Sequence, residues 1–162
     1  MSYPDPVYFG TGEVLARYRP VTTPADLPRP GGAASYLATG ATTAGRFGLY
    51  RWDMGPDVAG AKPHYHRTMS ESFFVLSGTV RLFDGNTWLD AHPGDFMYVP
   101  EGGLHGFRNE SGEPTSMLIL FAPGAPREAY FEGLVELAEG RWAPSPQELQ
   151  AFFEEHDNLY VE

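Results

Sequence analysis

Between residues 45 and 121 the sequence is built from short runs rich in Phe, Tyr, Val and Leu, separated by turn residues. The separators include Ser77-Gly78, Asp84-Gly85-Asn86 and Pro93-Gly94-Asp95. An Asp-Gly pair between two such runs is typical of a β-hairpin. The runs predict strands over residues 45–54, 71–76, 79–83, 87–89, 96–99, 106–109 and 116–121. Many short strands joined by regular turns are typical of an antiparallel sandwich or barrel, so the sequence predicts an all-β core.

The N-terminal segment has a different character. Six of the first thirty residues are proline, which excludes a long helix because proline lacks the backbone N–H that a helix interior needs. The sequence therefore predicts that residues 1–44 form a proline-rich arm with edge strands, one of them at residues 13–18. The barrel itself is predicted over residues 45–122.

The C-terminal segment, residues 123–162, predicts a helical extension with two helices. Apolar residues at helical spacing mark the first helix: Phe131, Leu134, Val135 and Ala138. The second helix is predicted to begin at Ser145 as N-cap, with Pro146 at the first helical position and Glu148 as the reciprocal cap. The sequence leaves open whether this extension covers the barrel mouth as a lid, packs on the outer wall or contacts a second subunit.

The composition argues against several classes of function. The chain has 162 residues, a size that suits one domain, and a net charge of −10, which argues against nucleic-acid binding. It has no cysteine, which excludes disulfides, a catalytic thiol and thiolate metal ligands. The sequence contains neither a signal-peptide pattern nor an apolar run of membrane-spanning length. We therefore expect a cytoplasmic protein that binds neither nucleic acid nor a membrane.

Three of the five histidines are clustered with one carboxylate. His64 and His66 are two residues apart, and residues i and i+2 of a strand point to the same face. Glu71 opens the next predicted strand, and His105 begins another one further along. Imidazole and carboxylate suit Fe, Ni, Zn, Mn and Co, and four protein ligands leave two positions of an octahedral site open. A lone His-x-His on a surface strand is usually solvated, so it is the joint pattern that indicates a metal site.

These residues lie in two segments that resemble the signature motifs of the cupin superfamily. Residues 60–78 contain both histidines, the glutamate and the closing Gly78, although Gly60 lies two residues closer to His64 than in the family's pattern. Residues 94–109 contain the positions of the second motif: Gly94, Pro100, Gly102, His105 and Asn109. The resemblance covers about residues 45–122 and implies a small jelly-roll β-barrel. It also implies one divalent transition metal per chain (Fe, Ni, Mn, Co or Zn), and its ligands would be His64, His66, Glu71 and His105.

Neighbours of the predicted ligands form a candidate substrate pocket. Side chains two residues from a ligand share its face of the strand, and nearby strands contribute others. The candidates are Phe73, Val75, Tyr98, Phe107, Met117, Ile119 and Phe121. For residues 117, 119 and 121 the alternation does not decide which face of the strand is the inner one. Such a lining suits a small aromatic or oxygen-chelating substrate, and the alternative is that these side chains simply fill the barrel core.

Three functions are compatible with this sequence. The site with a helical tail is similar to the bacterial quercetin 2,3-dioxygenase type, which implies a metal-dependent dioxygenase in which Glu71 is both ligand and catalytic base. A redox-neutral isomerase, lyase or cyclase that uses the metal as a Lewis acid is the first alternative. A non-catalytic small-molecule-binding cupin is the second. Cupins commonly pair through their sheets, so the resemblance also implies a homodimer.

Overall fold

The structure is a computed structural model and describes residues 2–56 and 60–161. It contains mostly β-strands, with two short helices near the C-terminal end. The strands are β1 (Leu27–Arg29), β2 (Gly32–Ala38), β3 (Gly48–Met54), β4 (His64–Tyr65), β5 (Ser70–Ser77), β6 (Val80–Phe83), β7 (Trp88–Ala91), β8 (Phe96–Val99), β9 (Gly106–Arg108), β10 (Thr115–Ala122) and β11 (Leu159–Tyr160). The helices are α1 (Arg127–Ala138) and α2 (Pro146–Glu155).

The strands form three antiparallel sheets. The largest has the order β1-β2-β3-β10-β5-β8, a second has the order β7-β6-β9, and β11 pairs with β4. Strand β10 is central because it pairs with β3 on one side and with β5 on the other. The first two sheets face each other as a jelly roll, with β5 leading directly into β6 through a turn at Gly78. Gly78 has φ +72, and a Cβ there would lie 2.6 Å from the Pro114 carbonyl oxygen, so this turn requires glycine.

Strict alternation of side chains sets the core of the barrel. In β3 every second residue is buried, beginning at Gly48. In β10 the inner face carries Met117, Ile119 and Phe121, all buried, which answers the question that the sequence left open. Because a strand has a side-chain period of two, a slip of one residue would exchange this apolar set for its outward neighbours.

Helix α1 extends the core beyond the barrel. Phe131 of α1 lies against Tyr50 and Trp52 of β3, with ring centroids 5.1 and 5.0 Å apart. Helix α2 begins with the predicted capping box, in which the Ser145 hydroxyl accepts from the Glu148 backbone N–H and the Glu148 carboxylate accepts from the Ser145 N–H. No helix in the described ranges is long and apolar enough to span a membrane.

The structure differs from the predictions mainly in the N-terminal segment. The strand predicted at residues 13–18 is wrong: residues 2–26 contain no strand or helix, and Val14 and Tyr18 are exposed. Residues 13–18 pair with none of the described strands, and the outermost strand on that side of the large sheet is β1. The short strands β4 and β11 were not predicted, since two residues carry no periodic signal.

The opposite faces of β5 give a test of this architecture. Phe73 is 0% exposed in the core, whereas the adjacent Phe74 is 40% exposed on the outer face. We expect Phe73→Ala to lower the free energy of unfolding by about 3–5 kcal/mol, because it leaves a cavity in a close-packed interior. The matched variant Phe74→Ala should cost about 1 kcal/mol or less, since its ring already contacts solvent. Urea unfolding followed by tryptophan fluorescence measures both, and equal losses would contradict the assigned strand faces.

Candidate metal centre

Four side chains converge at one buried point inside the barrel. His64 belongs to β4, His66 follows it, Glu71 is the second residue of β5, and His105 directly precedes β9. One ligand atom of each lies within 4.8 Å of the others, and all four residues are buried. The structure therefore brings together the four residues that the cupin resemblance nominates as ligands.

Backbone pairing fixes the positions of two of these histidines. The His64 N–H donates to the His105 carbonyl oxygen and the His105 N–H donates to that of His64, both at 2.9 Å. The chain approaches closely here, because a Cβ on Gly60 would lie 2.1 Å from the Phe107 carbonyl oxygen. Gly60 is therefore needed for backbone contact, even though its spacing departs from the first cupin motif.

Backbone carbonyl groups orient all three imidazoles. The Nδ1 atom of His64 lies 2.8 Å from the Lys62 carbonyl oxygen, and that of His105 lies 2.9 Å from the Gly103 carbonyl oxygen. The Nδ1 atom of His66 contacts the carbonyl oxygen of Asp157. A carbonyl only accepts, so each Nδ1 carries a proton, and in the neutral imidazole each Nε2 then presents a lone pair. This is the tautomer that a metal ligand bonded through Nε2 requires.

The resulting donor set fits a cation. The Glu71 Oε2 atom lies 2.9 Å from the His66 Nε2 atom and 2.6 Å from the His105 Nε2 atom. With the protons on Nδ1, these are contacts between acceptors, which repel unless a positive charge lies between them. A divalent metal ion with imidazole and carboxylate ligands supplies that charge, as would extra protons on the imidazoles. The chemistry of the donor set is therefore that of a divalent metal site.

Burial and the charges of neighbouring groups shift the pKa values of these side chains in different directions. Burial, followed by the nearby His105, lowers the pKa of His64 to about 3. Burial would raise the pKa of Glu71, but His105 and His66 more than offset this and hold it well below its usual range. For His105, burial is outweighed by the Glu71 charge and hydrogen bond, and its pKa is raised. Glu71 is thus an anion at neutral pH, as a metal ligand must be.

A cavity of about 250 Å³ reaches this centre, with His64 and Glu71 in its wall. Three of the predicted pocket residues line it, namely Phe107, Ile119 and Phe121. Phe73, Val75 and Met117 are buried in the barrel core. The interpretation of Tyr98 as a pocket residue is wrong, because its side chain is 58% exposed and lies on the outer face. The register pairs Glu71 with Val99, so Tyr98 points away from the metal centre.

The C-terminal extension contributes much of the remaining wall. Arg127, Tyr130 and Phe131 come from α1, and Asn158 and Tyr160 come from the last residues described. The extension therefore forms part of the cavity wall next to the metal centre. No motif indicates these residues. Arg127 at the start of an amphipathic helix is the only weak signal, because a cation is unusual at a helix N-terminus.

The extension is attached directly to the ligand-bearing strand. Strand β11 pairs with β4, so that Tyr160 lies opposite His64. The Asp157 carboxylate accepts hydrogen bonds of 2.7–3.0 Å from the Arg67 N–H and from the N–H and hydroxyl of Thr68. These contacts tie the peptide that holds His66 to the end of the chain.

Two further histidines match no ligand position in the cupin pattern. His92 is exposed in the turn before β8. His156 is the C-cap of α2 and packs against Phe152, and burial, followed by the charge of Arg127, lowers its pKa. The lowered pKa of His156 favours the neutral imidazole, whereas a helix dipole acting alone would favour the imidazolium.

Comparison with known proteins agrees with this fold and site. The family model described as Cupin domain matches residues 50–121, the part of the chain that forms most of the barrel and contains the three-histidine, one-glutamate cluster. The β-sheets have the cupin fold. Quercetin 2,3-dioxygenase of Bacillus subtilis is 32% identical over 97 residues, which are 59% of this chain and only 28% of that protein. The chain thus spans less than a third of this curated relative.

Solved structures with other activities have the same fold. The polyketide cyclase RemF from Streptomyces resistomycificus has a TM-score of 0.55, with 24% identity, over 69% of this chain and 81% of its own. A cupin sugar phosphate isomerase from Silicibacter pomeroyi has a TM-score of 0.51 and 25% identity over 57% of this chain and 59% of its own. The cupin fold is therefore shared across several reaction classes.

Metal analysis of the purified protein tests the centre directly. We expect about one equivalent of divalent transition metal per chain, because four buried donors converge on one point. The variant His105→Ala should lose it, since its removal takes away one of the imidazoles that adjoin Glu71. His92→Ala is the matched control and should keep the full equivalent. Metal-free wild-type protein that still takes up no Fe, Ni, Mn, Co or Zn would contradict the assignment.

The contact between Asp157 and the loop after His66 generates a separate prediction. We expect Asp157→Ala to weaken metal affinity by about tenfold, because groups that orient a ligand typically contribute that much. The exposed Glu155→Ala serves as control and should leave affinity unchanged. Competition with a chromogenic chelator measures both, and equal affinities in the two variants would show that this contact does not orient His66.

Proposed function

We propose that this protein is a metal-dependent dioxygenase of the quercetinase type that acts on a small aromatic substrate with chelating oxygens. The observation that carries the proposal is the position of Glu71, a buried ligand-type carboxylate that also borders the cavity. The likeness to a quercetin 2,3-dioxygenase supports the same reaction class. A transition metal held by these four residues would act as a Lewis acid on a chelating hydroxyl and exchange electrons with dioxygen.

The chain's own residues have defined tasks in this proposal. Phe107, Phe121 and Phe131 supply aromatic walls that hold a planar ring and exclude water from the reacting atoms. The Glu71 carboxylate, an anion, accepts the hydroxyl proton of the substrate as general base. The imidazoles, held by backbone carbonyls, keep the centre in place while this proton moves.

A redox-neutral reaction is the second candidate, and a specific pair of side chains favours it. The hydroxyl groups of Tyr130 and Tyr160 lie 3.2 Å apart beside the cavity. Burial, with the neighbouring phenol, raises the pKa of Tyr130, so both phenols are protonated at neutral pH and can act as proton donors. A cyclase or isomerase needs such a donor for the oxygen of an enolate. The fold shared with a polyketide cyclase is compatible with this candidate.

A cytoplasmic homodimer that binds a small molecule, without nucleic acid or membrane, stays a prediction. The outer face of β5 and β8 supports the dimer, because Phe74 and Phe96 are paired across the two strands and are both exposed. Exposed apolar side chains at a sheet edge favour association with another sheet.

Oxygen consumption with a flavonol tests the proposed reaction. We expect the metal-loaded protein to consume oxygen only when the flavonol is present, and Glu71→Gln to lower the rate by at least about a hundredfold, because the amide cannot take up a proton. The exposed Glu101→Gln is the control and should retain the rate. Metal content is measured in each variant, which separates loss of the base from loss of the metal.

Two results would contradict the proposed reaction. Full activity in a metal-loaded Glu71→Gln variant would remove Glu71 as the base. Metal-loaded wild-type protein that consumes no oxygen with flavonols or catechols would reject the dioxygenase and favour the redox-neutral reaction of the second candidate.

A further inference from the structure

The cavity contains a buried cation for which the described residues supply no counterion. Arg127 is only 3% exposed and lines the cavity that His64 and Glu71 also border. Burial lowers the pKa of its guanidinium, but arginine stays protonated in proteins. None of the carboxylates in residues 2–56 and 60–161 forms an ion pair with it, although a buried charge is normally paired.

The hydrogen bonds of Arg127 leave part of its fork available. Its Nη1 atom donates to the His156 carbonyl oxygen at 2.6 Å, and its Nη2 atom donates to the Asn158 Oδ1 atom at 3.1 Å. Its buried Nε–H finds no acceptor in the described part of the chain. The guanidinium lies over the Tyr130 ring at 4.2 Å, which fixes its plane. A guanidinium has five N–H donors, so the group is oriented but not saturated.

A bound metal ion would add further positive charge near the guanidinium of Arg127. Burial lowers the pKa of Arg127, and the negative charge of Glu71 in the metal centre partly opposes this shift. Coordination of a divalent cation by Glu71 and three neutral imidazoles leaves the centre with a net positive charge. Arg29, which borders the same cavity over Trp52, adds a second guanidinium whose Nε is also without an acceptor in the described residues.

We propose that the substrate carries a carboxylate that binds to the guanidinium of Arg127, while its chelating oxygen is directed to the metal centre. This inference rests on the proposed function and specifies its substrate class as small aromatic acids. A carboxylate matches the planar fork of arginine and supplies the missing negative charge. A cavity of about 250 Å³ suits a compact aromatic ligand.

A pair of probes that differ only in charge tests the inference. Calorimetric titration of the metal-loaded protein with salicylate and with salicylamide compares a carboxylate with its neutral amide. We expect the wild type to bind salicylate at least about tenfold more tightly, a difference of about 1.4 kcal/mol. Arg127→Gln should abolish this preference while leaving the affinity for salicylamide within about twofold of wild type.

A second variant changes the charge balance at Arg127 without removing the hydrogen bonds that its side chain donates. Asn158→Asp places an internal carboxylate at the atom that already accepts from the Arg127 Nη2, so it neutralises the cation without removing it. We expect this variant to lose the preference for salicylate as well. The exposed Arg46→Gln is the control and should retain it.

The outcomes distinguish this inference from the proposed reaction. Absence of a preference in the wild type, or a preference that survives both Arg127→Gln and Asn158→Asp, would overturn it, because the carboxylate would then bind elsewhere. Oxygen consumption is measured separately with the flavonol. If the protein consumes no oxygen but still prefers salicylate in a way that depends on Arg127, the dioxygenase reaction is rejected and the carboxylate site at Arg127 is retained.

Discussion

The convergence of three imidazoles and one carboxylate governs the rest of this structure. Carbonyl groups hold the Nδ1 protons, so when the imidazoles are neutral the Nε2 lone pairs of His66 and His105 face Glu71 at hydrogen-bond distance. Such a cluster is unfavourable in a low-dielectric interior unless a cation neutralises it. The surrounding aromatic packing, with Phe73 against His105 and Phe121 against His66, prevents the ligands from turning away. The barrel therefore enforces a geometry that becomes stable when metal binds.

The end of the chain takes part in the same constraint. His64 and His66 are far from residues 157–160 in the sequence. Their orientation nevertheless depends on those residues, through strand pairing and a backbone carbonyl. The same short segment holds Arg127 in the cavity wall. Metal, cavity and C-terminal extension therefore form one connected network. Loss of order at the end of the chain should affect the ligands and the cavity together, because neither has an independent support on that side.

The sequence predicts the parts that depend on local pattern. Four metal-ligand candidates follow from the strand period and from the cupin-like spacing, and the capping box of α2 follows from Ser145 and Glu148. The assignment of Tyr98 is wrong because the face of a strand depends on its register with a distant partner, here β5. Arg127 is missed for a similar reason, since its role depends on a two-residue strand that no periodicity reveals. Local signals define elements, whereas long-range pairing decides which side chains meet.

Charge is distributed differently inside and outside this protein. The net charge is −10, yet among the described residues the side chains that border the cavity include two arginines and a single carboxylate, Glu71. Surface acids act on a buried group only weakly, because solvent and salt screen them over about 10 Å. The groups in direct contact with Arg127 carry no negative charge: they are a carbonyl, an amide and aromatic rings. The net acidity of the chain therefore does not decide the charge of its interior. Beside the cation site at Glu71, the part of the cavity wall that contains Arg29 and Arg127 favours an anion.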